Sequence, residues 1–181
     1  YQQLVDDLLA NAGGDRSFEV VILDNSRDGI EQISEVLAFY DSVDAVHIIS
    51  HGSDGAIDLG ATRLDMDALI AHADAIAAWA GAFSETGDLL IYGCNLAATA
   101  EGETFVDTLA RLTETDVAAS DDLTGNLLLG GDWDLEYHSG VIESAVAVSA
   151  QTQAAYENVL DAPVLDTTKS PTLAAQAENS G

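Results

Sequence analysis

The sequence predicts an α/β sandwich with a mostly parallel central sheet and a small antiparallel extension on its C-terminal side. Three observations carry this. Apolar runs of strand length, such as Asp44-Ala45-Val46-His47-Ile48-Ile49 and Asp88-Leu89-Leu90-Ile91-Tyr92, stop abruptly at short glycine-containing motifs. Between them lie stretches whose apolar residues recur at helical spacing. From Leu127 to Val148 the helical pattern gives way to short alternating runs around glycine turns. Strands that alternate with helices pack as a parallel sheet with its crossovers on the faces.

Element by element, residues 1–13 read as a helix, with Leu4, Val5, Leu8 and Leu9 on one side and Gly13-Gly14 ending it. Phe18 to Leu23 reads as a strand ending at Asp24. Ile30, Ile33, Val36, Leu37 and Tyr40 mark a second helix. The strand leading to His51 follows. Gly52-Ser53-Asp54-Gly55 is a turn, and Ala56 to Leu64 has the pattern of a hairpin around Gly60. An Ala-rich helix is expected from about Asp65 to Phe83, then the strand leading to Cys94. Phe105, Val106, Leu109 and Leu112 define an amphipathic helix over 103–113, and Asp116 to Ser120 a fourth strand. Leu127-Leu128-Leu129, Trp133 to Tyr137 and Val141-Ile142 are expected as short, partly antiparallel edge strands. A last helix is expected over 149–160. Both prolines lie beyond Asp161, and 161–181 reads as a linker following a 1–160 domain.

The 181 residues are 48% hydrophobic but only 6% aromatic, so the core must be built from Leu, Val, Ile and Ala. Five Lys+Arg stand against 32 Asp+Glu, a net charge of −27. That field repels phosphate backbones, polyphosphates and anionic lipid, so nucleic acid is excluded as a natural partner. It suits cations, above all Ca²⁺ as a structural or regulatory ion, and equally suits a salty or extracellular setting. A single cysteine permits no internal disulfide. No run approaches the roughly 18 apolar residues of a membrane span, so no membrane insertion is expected. The chain opens on Tyr1 without a leader pattern and is expected to be a piece of a longer polypeptide.

Two motifs bear chemistry, Ser50-His51-Gly52 and Gly93-Cys94-Asn95. Each follows an apolar strand, and ligands of open parallel sheets gather beyond the carboxyl ends of the strands. A cysteine at a strand end is ordinarily a small buried hydrophobe. A lone histidine before a glycine is ordinarily structural. A thiol beside an imidazole, however, is the minimal apparatus of nucleophilic acyl transfer. Gly93 permits close backbone approach, and helical residues expected from about Ala97 would put Cys94 near a positive helix end. The N–H groups of Gly52 and Cys94 are candidates for an oxyanion hole. His47 shares the face of His51 but lies about 13 Å back along the strand, at ~3.3 Å per residue, and reads as a core residue. Asp24, at the end of a neighbouring strand, is a candidate to orient the imidazole. Asp121 and Asp122 are candidates to line a pocket. The four histidines and one cysteine show no zinc-ligand spacing, so no metal centre is expected. The acidic pairs Asp65/Asp67, Asp121/Asp122 and Asp132/Asp134 match no calcium loop.

With these motifs on adjacent strands, the chain resembles the caspase–gingipain–legumain clan of cysteine peptidases, and within it the self-cleaving cysteine protease domains of large bacterial toxins. More specifically, residues 1–160 resemble the bacterial domain family DUF4347, found near the N-termini of very large, acidic, repeat-containing surface proteins. The stretches that carry the likeness are Val46 to Gly52, Asp88 to Asn95, Ala118 to Gly125 and Gly130 to Glu136. Ala162 to Asp166 is similar to the lead-in of cadherin-like or immunoglobulin-like repeats. The resemblance implies a caspase-like three-layer sandwich, with His51 as general base or acid and Cys94 as nucleophile. That family opens with a strand before the first helix, and this chain is expected to start after it. The toxin domains use inositol hexakisphosphate held by many basic residues, which five Lys+Arg cannot reproduce. Relatives that cleave after arginine carry an acid two residues before the cysteine, where this chain has Tyr92.

The expectation is therefore a cysteine endopeptidase domain that needs no cofactor. Its substrate is a peptide, its own polypeptide in cis, within a bacterial protein exported to the cell surface or beyond. The alternative is a catalytically inactive cap or interaction module of a surface adhesin with the same fold.

Overall fold

The computed structural model describes residues 2–10 and 18–160. Helix α1 (Gln2–Ala10) buries Leu4 and Leu8, one turn apart, as the periodicity requires. Helix α2 (Gly29–Leu37) starts where the Asp28 carboxylate accepts the Glu31 N–H, an N-cap of the usual kind, and buries Ile30 and Leu37. Strand β1 (Val43–Ile49) leads through Ser50-His51 to β2 (Gly52–Ser53), β3 (Ala56–Leu59) and β4 (Thr62–Leu64). These last three form an antiparallel sheet in the order β2-β3-β4, with Gly60 at φ 57° making the hairpin turn. Short helices α3 (Met66–Ala71) and α4 (Ala73–Ala77) and a 3₁₀ turn (Ala78–Ala82) lead to β5 (Phe83–Tyr92). Helix α5 (Ala100–Thr113), β6 (Asp116–Ala119), a 3₁₀ turn (Leu127–Leu129), β7 (Tyr137–Ser139) and α6 (Ala150–Ala155) complete the elements.

The main sheet runs β1-β5-β6-β7. Its first three strands are parallel and β7 joins antiparallel to β6. Strand alternation sends successive β5 residues to opposite faces. Leu89 and Ile91 enter a large cluster with Ile30, Leu69, Ile76, Trp79, Phe105 and Val106, contributed by the helices on that side. Leu90, Tyr92 and Cys94 enter a second cluster with Leu4, Trp133, Leu135, Tyr156 and Leu160. Each fully buried leucine or isoleucine in these layers is worth about 1.5–3 kcal/mol relative to exposure. The architecture is thus mixed α/β with a mostly parallel four-stranded sheet and a small antiparallel sheet.

Several expectations are corrected. Phe18 to Leu23 forms no strand; Ile22 is 75% exposed, and no ladder partner lies beside it among the described residues. The outer edge of β1 therefore has no paired strand among the described residues, although the Phe18 ring centroid lies 6.2 Å from that of His47. The expected Asp65–Phe83 helix breaks at His72, whose φ of −107° leaves the helical region, and tightens to 3₁₀ before β5. No helix begins at Ala97: Cys94 to Ala97 is a turn, and α5 starts at Ala100 behind its Thr99 cap. Leu127–Leu129 is an exposed 3₁₀ turn rather than a strand, held by the Asn126 carboxamide on the Leu128 N–H and ended by Gly130 at φ 87°. Of the expected edge strands only Trp133 to Tyr137 reaches the sheet, and only at Tyr137, where β7 (Tyr137–Ser139) begins; the last helix spans Ala150–Ala155 alone. The linker assigned to 161–181 lies outside the described residues. Among the described residues, no helix is long and apolar enough to cross a membrane.

Candidate active site at the ends of strands β1 and β5

The β1–β5 register pairs Ile49 with Tyr92, and the Ser50 N–H donates to the Tyr92 carbonyl at 3.1 Å. The ladder ends there, but the two chains stay together beyond it, Gly52 lying against Gly93 and the Cys94 nitrogen. The two glycines make this contact tight. A Cβ built on Gly52 would sit 2.6 Å from the Gly93 carbonyl carbon and 3.0 Å from the Cys94 nitrogen, so no side chain fits between the backbones. The amides named as oxyanion donors, those of Gly52 and Cys94, therefore sit on touching segments.

Beyond Cys94 the chain turns through Asn95, whose φ of 58° is left-handed, a conformation asparagine tolerates better than most residues. The turn is pinned to the loop after β6, where the Asn95 N–H donates to the Asp122 carbonyl at 2.5 Å and the Ala97 N–H to the Ser120 carbonyl at 3.0 Å. Cys94 is 0% exposed. Its Sγ accepts the Thr124 N–H at 3.3 Å and its thiol donates to the Thr124 carbonyl at 3.7 Å. The amide donor favours negative sulfur and the carbonyl favours the neutral thiol, so Thr124 can accompany either state. Thr124 itself is fully buried, and its hydroxyl oxygen has no hydrogen-bond partner.

The chain's own residues 156–160 cover this site. Val159 bridges antiparallel to Gly125, the Asn126 N–H donates to the Asn158 carbonyl at 2.9 Å, and the Asn126 carboxamide to the Tyr156 carbonyl at 2.5 Å. The Leu160 N–H donates to the Thr124 carbonyl at 2.9 Å, the same oxygen that takes the Cys94 thiol. The Leu160 carbonyl lies 3.2 Å from His51 Nδ1. A carbonyl can only accept, so this contact places the proton on Nδ1. Leu160 is 1% exposed and packs in the same cluster as Cys94. Burial, and secondly the Cys94 sulfur, raise the pKa of Tyr156.

The remaining predicted residues divide. His47 is part-buried, its Nδ1 3.3 Å from the Tyr92 hydroxyl and its ring stacked on Tyr92. Tyr92 in turn accepts the Ala147 N–H at 3.1 Å. Asp24 is exposed and caps a turn, accepting the Ser26 N–H at 2.8 Å and hydroxyl at 2.7 Å, which also hold its pKa below the ordinary value. The Leu160 carbonyl, not Asp24, faces the His51 Nδ1. Asp122 supplies its backbone carbonyl to Asn95, while its exposed side chain joins Asp121 and Glu136. Burial first, then the carboxylates of Asp132, Asp121 and Asp134, push the Asp122 pKa up. Thr124, Tyr156 and Leu160 were not singled out from sequence as site residues. The one available signal was that Leu160 is the last large apolar residue before the Pro-containing tail.

The fold and site define a mixed α/β domain whose only cysteine and a histidine occupy the ends of neighbouring parallel strands. The chain belongs to the family described as a domain of unknown function (DUF4347), which matches residues 1–160. No curated protein and no solved structure matches it.

Proposed function

We propose that this domain is a cysteine endopeptidase that cleaves its own polypeptide, with Cys94 as nucleophile, His51 as proton donor and acceptor, and the Leu160–Asp161 peptide bond as its substrate. One observation carries the reading: the Leu160 backbone ties into both residues' partners, its carbonyl on the His51 imidazole and its N–H on the Thr124 oxygen that also holds the Cys94 thiol. A substrate held in cis is supplied at high effective concentration. His51 would take the Cys94 thiol proton on Nε2, and the thiolate would add to the Leu160 carbonyl carbon, forming a C–S bond as the carbonyl π pair moves to oxygen, an oxyanion facing His51 Nδ1. The Gly52 and Cys94 amides are the further donors for that charge. The C–N bond to Asp161 would then break, the departing amine taking its proton from His51. Water would hydrolyse the thioester and restore the thiol.

The resemblance to domains of large surface proteins and to the self-cleaving domains of toxins extends the proposal to location, a large bacterial protein exported to or beyond the cell surface. The charge of −27 suits that setting.

A second reading has its own observation. Cys94 is wholly buried and the site is closed by residues 156–160, as in a folded cap or interaction module of an adhesin without peptidase activity. Intact-mass spectrometry of the 181-residue chain and its Cys94→Ala variant, with and without Ca²⁺, separates the two. Fragments whose masses sum to the chain plus one water, ending at Leu160 and absent in Cys94→Ala, are expected. An uncleaved chain under every condition favours the cap.

A further inference from the structure

We propose that Asp88, Asp116 and Glu143 form a binding site for a hard divalent cation, with Ca²⁺ the ion its chemistry fits. The site lies at the opposite end of the β5–β6 pair from Cys94, and the proposal is independent of peptidase activity. The parallel register sets Asp88 directly beside Asp116. The loop after β7 brings Glu143 to them, and one carboxylate oxygen from each lies within 4.8 Å of the others. Oxygens that share one Ca²⁺ at its usual bond lengths lie up to about 5 Å apart.

The observation that points to a ligand is the state of Asp88. It is 0% exposed. Its Oδ2 accepts two backbone amides, Glu143 N–H at 3.1 Å and Ser144 N–H at 2.8 Å. Its Oδ1 is buried with no hydrogen-bond partner. A buried carboxylate oxygen left bare is costly unless a cation completes it. No described side chain does so. Arg27 pairs with Glu35, Arg63 with Asp58, and Arg111 bonds the Asp107 carbonyl and the Thr108 hydroxyl. Asp116 is half-buried, its Oδ2 holding the Val141 N–H at 3.0 Å. The donors are all oxygen, with no imidazole or thiol, which selects Ca²⁺ over transition metals. Backbone carbonyls and water would complete a shell of six to eight. By contrast Asp121, Asp122 and Glu136, the other acidic trio, are all exposed, and none of their oxygens is buried without a partner.

Bound there, the ion would clamp β5 and β6 to residues 141–144, the start of the segment that runs on to α6 and residues 156–160. The test is calorimetric titration of chelator-treated 181-residue protein with CaCl₂, and separately with MgCl₂, in about 0.1 M KCl to screen the diffuse surface charge. One saturable Ca²⁺ site is expected, weakened at least about tenfold in Glu143→Gln and in Asp116→Asn and unchanged in Glu136→Gln. Glu143 is exposed, so its variant leaves the packing intact, and circular dichroism checks that it is folded. Four results would overturn the proposal: no saturable binding, the parent chain's affinity retained in either ligand variant, loss in Glu136→Gln instead, or Mg²⁺ binding as tightly as Ca²⁺.

Discussion

The two ends of the β5–β6 pair solve the same problem in opposite ways. At the carboxyl end, the chain answers the sulfur of Cys94: the Thr124 backbone holds it, and residues 156–160 return from far along the sequence to cover it, the neutral Thr124 hydroxyl alone staying bare beside it. At the amino end, three carboxylates converge, and a buried oxygen of Asp88 goes unanswered by any described residue. Both ends belong to one pair of buried parallel strands. The difference lies in what loops back over them: a peptide carrying its own donors and acceptors, or one carrying another acid. An end completed from within can hide a reactive group, whereas an end left short of positive charge calls for something from solution.

That contrast can be broken most forcefully at Leu160. Leu160→Ala removes a side chain buried to 1% beside Cys94 and is expected to destabilise the domain by about 2–5 kcal/mol, read by urea denaturation. If the cover opens even ~2 kcal/mol more easily, iodoacetamide should alkylate Cys94 about thirty-fold faster than in the parent chain. An unchanged alkylation rate would show that residues 156–160 do not guard the thiol. Gly52→Ala comes next. The added methyl would meet the Gly93 backbone at 2.6 Å, and backbone cannot swing aside as a side chain can. A loss of about 1–3 kcal/mol is expected, with slower appearance of any Cys94-dependent fragment.

The smallest effect concerns the acidic rim next to the closed end. Burial and neighbouring carboxylates raise the pKa of Asp122, and burial raises that of Glu136. Their folded forms hold protons to higher pH than their unfolded forms do. The stability this gives is fully present below the ordinary values of 3.8 and 4.5 and is lost as pH rises through the folded values. Both side chains are exposed, so solvent screens most of the effect. Asp122→Asn should therefore flatten the fall in stability above pH 4 and stabilise the neutral protein by no more than about 0.5 kcal/mol, measured as denaturant midpoints across that range.

Legibility in the sequence followed locality. Leu89 to Cys94 announces itself because burial on both faces of a central strand leaves a continuous apolar run with a sharp end, and Val46 to Gly52, on the partly buried strand beside it, ends as sharply at a glycine. The hairpin at Gly60 was readable from one residue that needs a positive φ. Phe18 to Leu23 has the same apolar look but no described partner, and a strand is defined by its partner. The Ala-rich stretch after Asp65 has helical composition, yet His72 and the 3₁₀ residues ahead of β5 bend it to follow the sheet. At the site, His51 and Cys94 were legible because each ends a strand. Leu160 was not, since its role depends on a bridge to Gly125 that no periodicity encodes. Asp88 and Asp116 resemble solvated strand starts. Only the register shows that they are side by side, and only burial shows that one is enclosed.

Among the described residues no strand pairs with the outer edge of β1, and this has a consequence for the protein as a colloid. The edge is that of Val43–Ile49, whose residues are partly buried except for the exposed Asp44. Such an edge is a template on which another copy can dock. What holds copies apart is the charge of −27, a long-range repulsion that acts before two edges can meet. Salt shortens that reach from about 10 Å at 0.1 M to about 3 Å at 1 M. Dilute electrolyte is therefore expected to keep this molecule dispersed, and brine to let that edge strand find a neighbour.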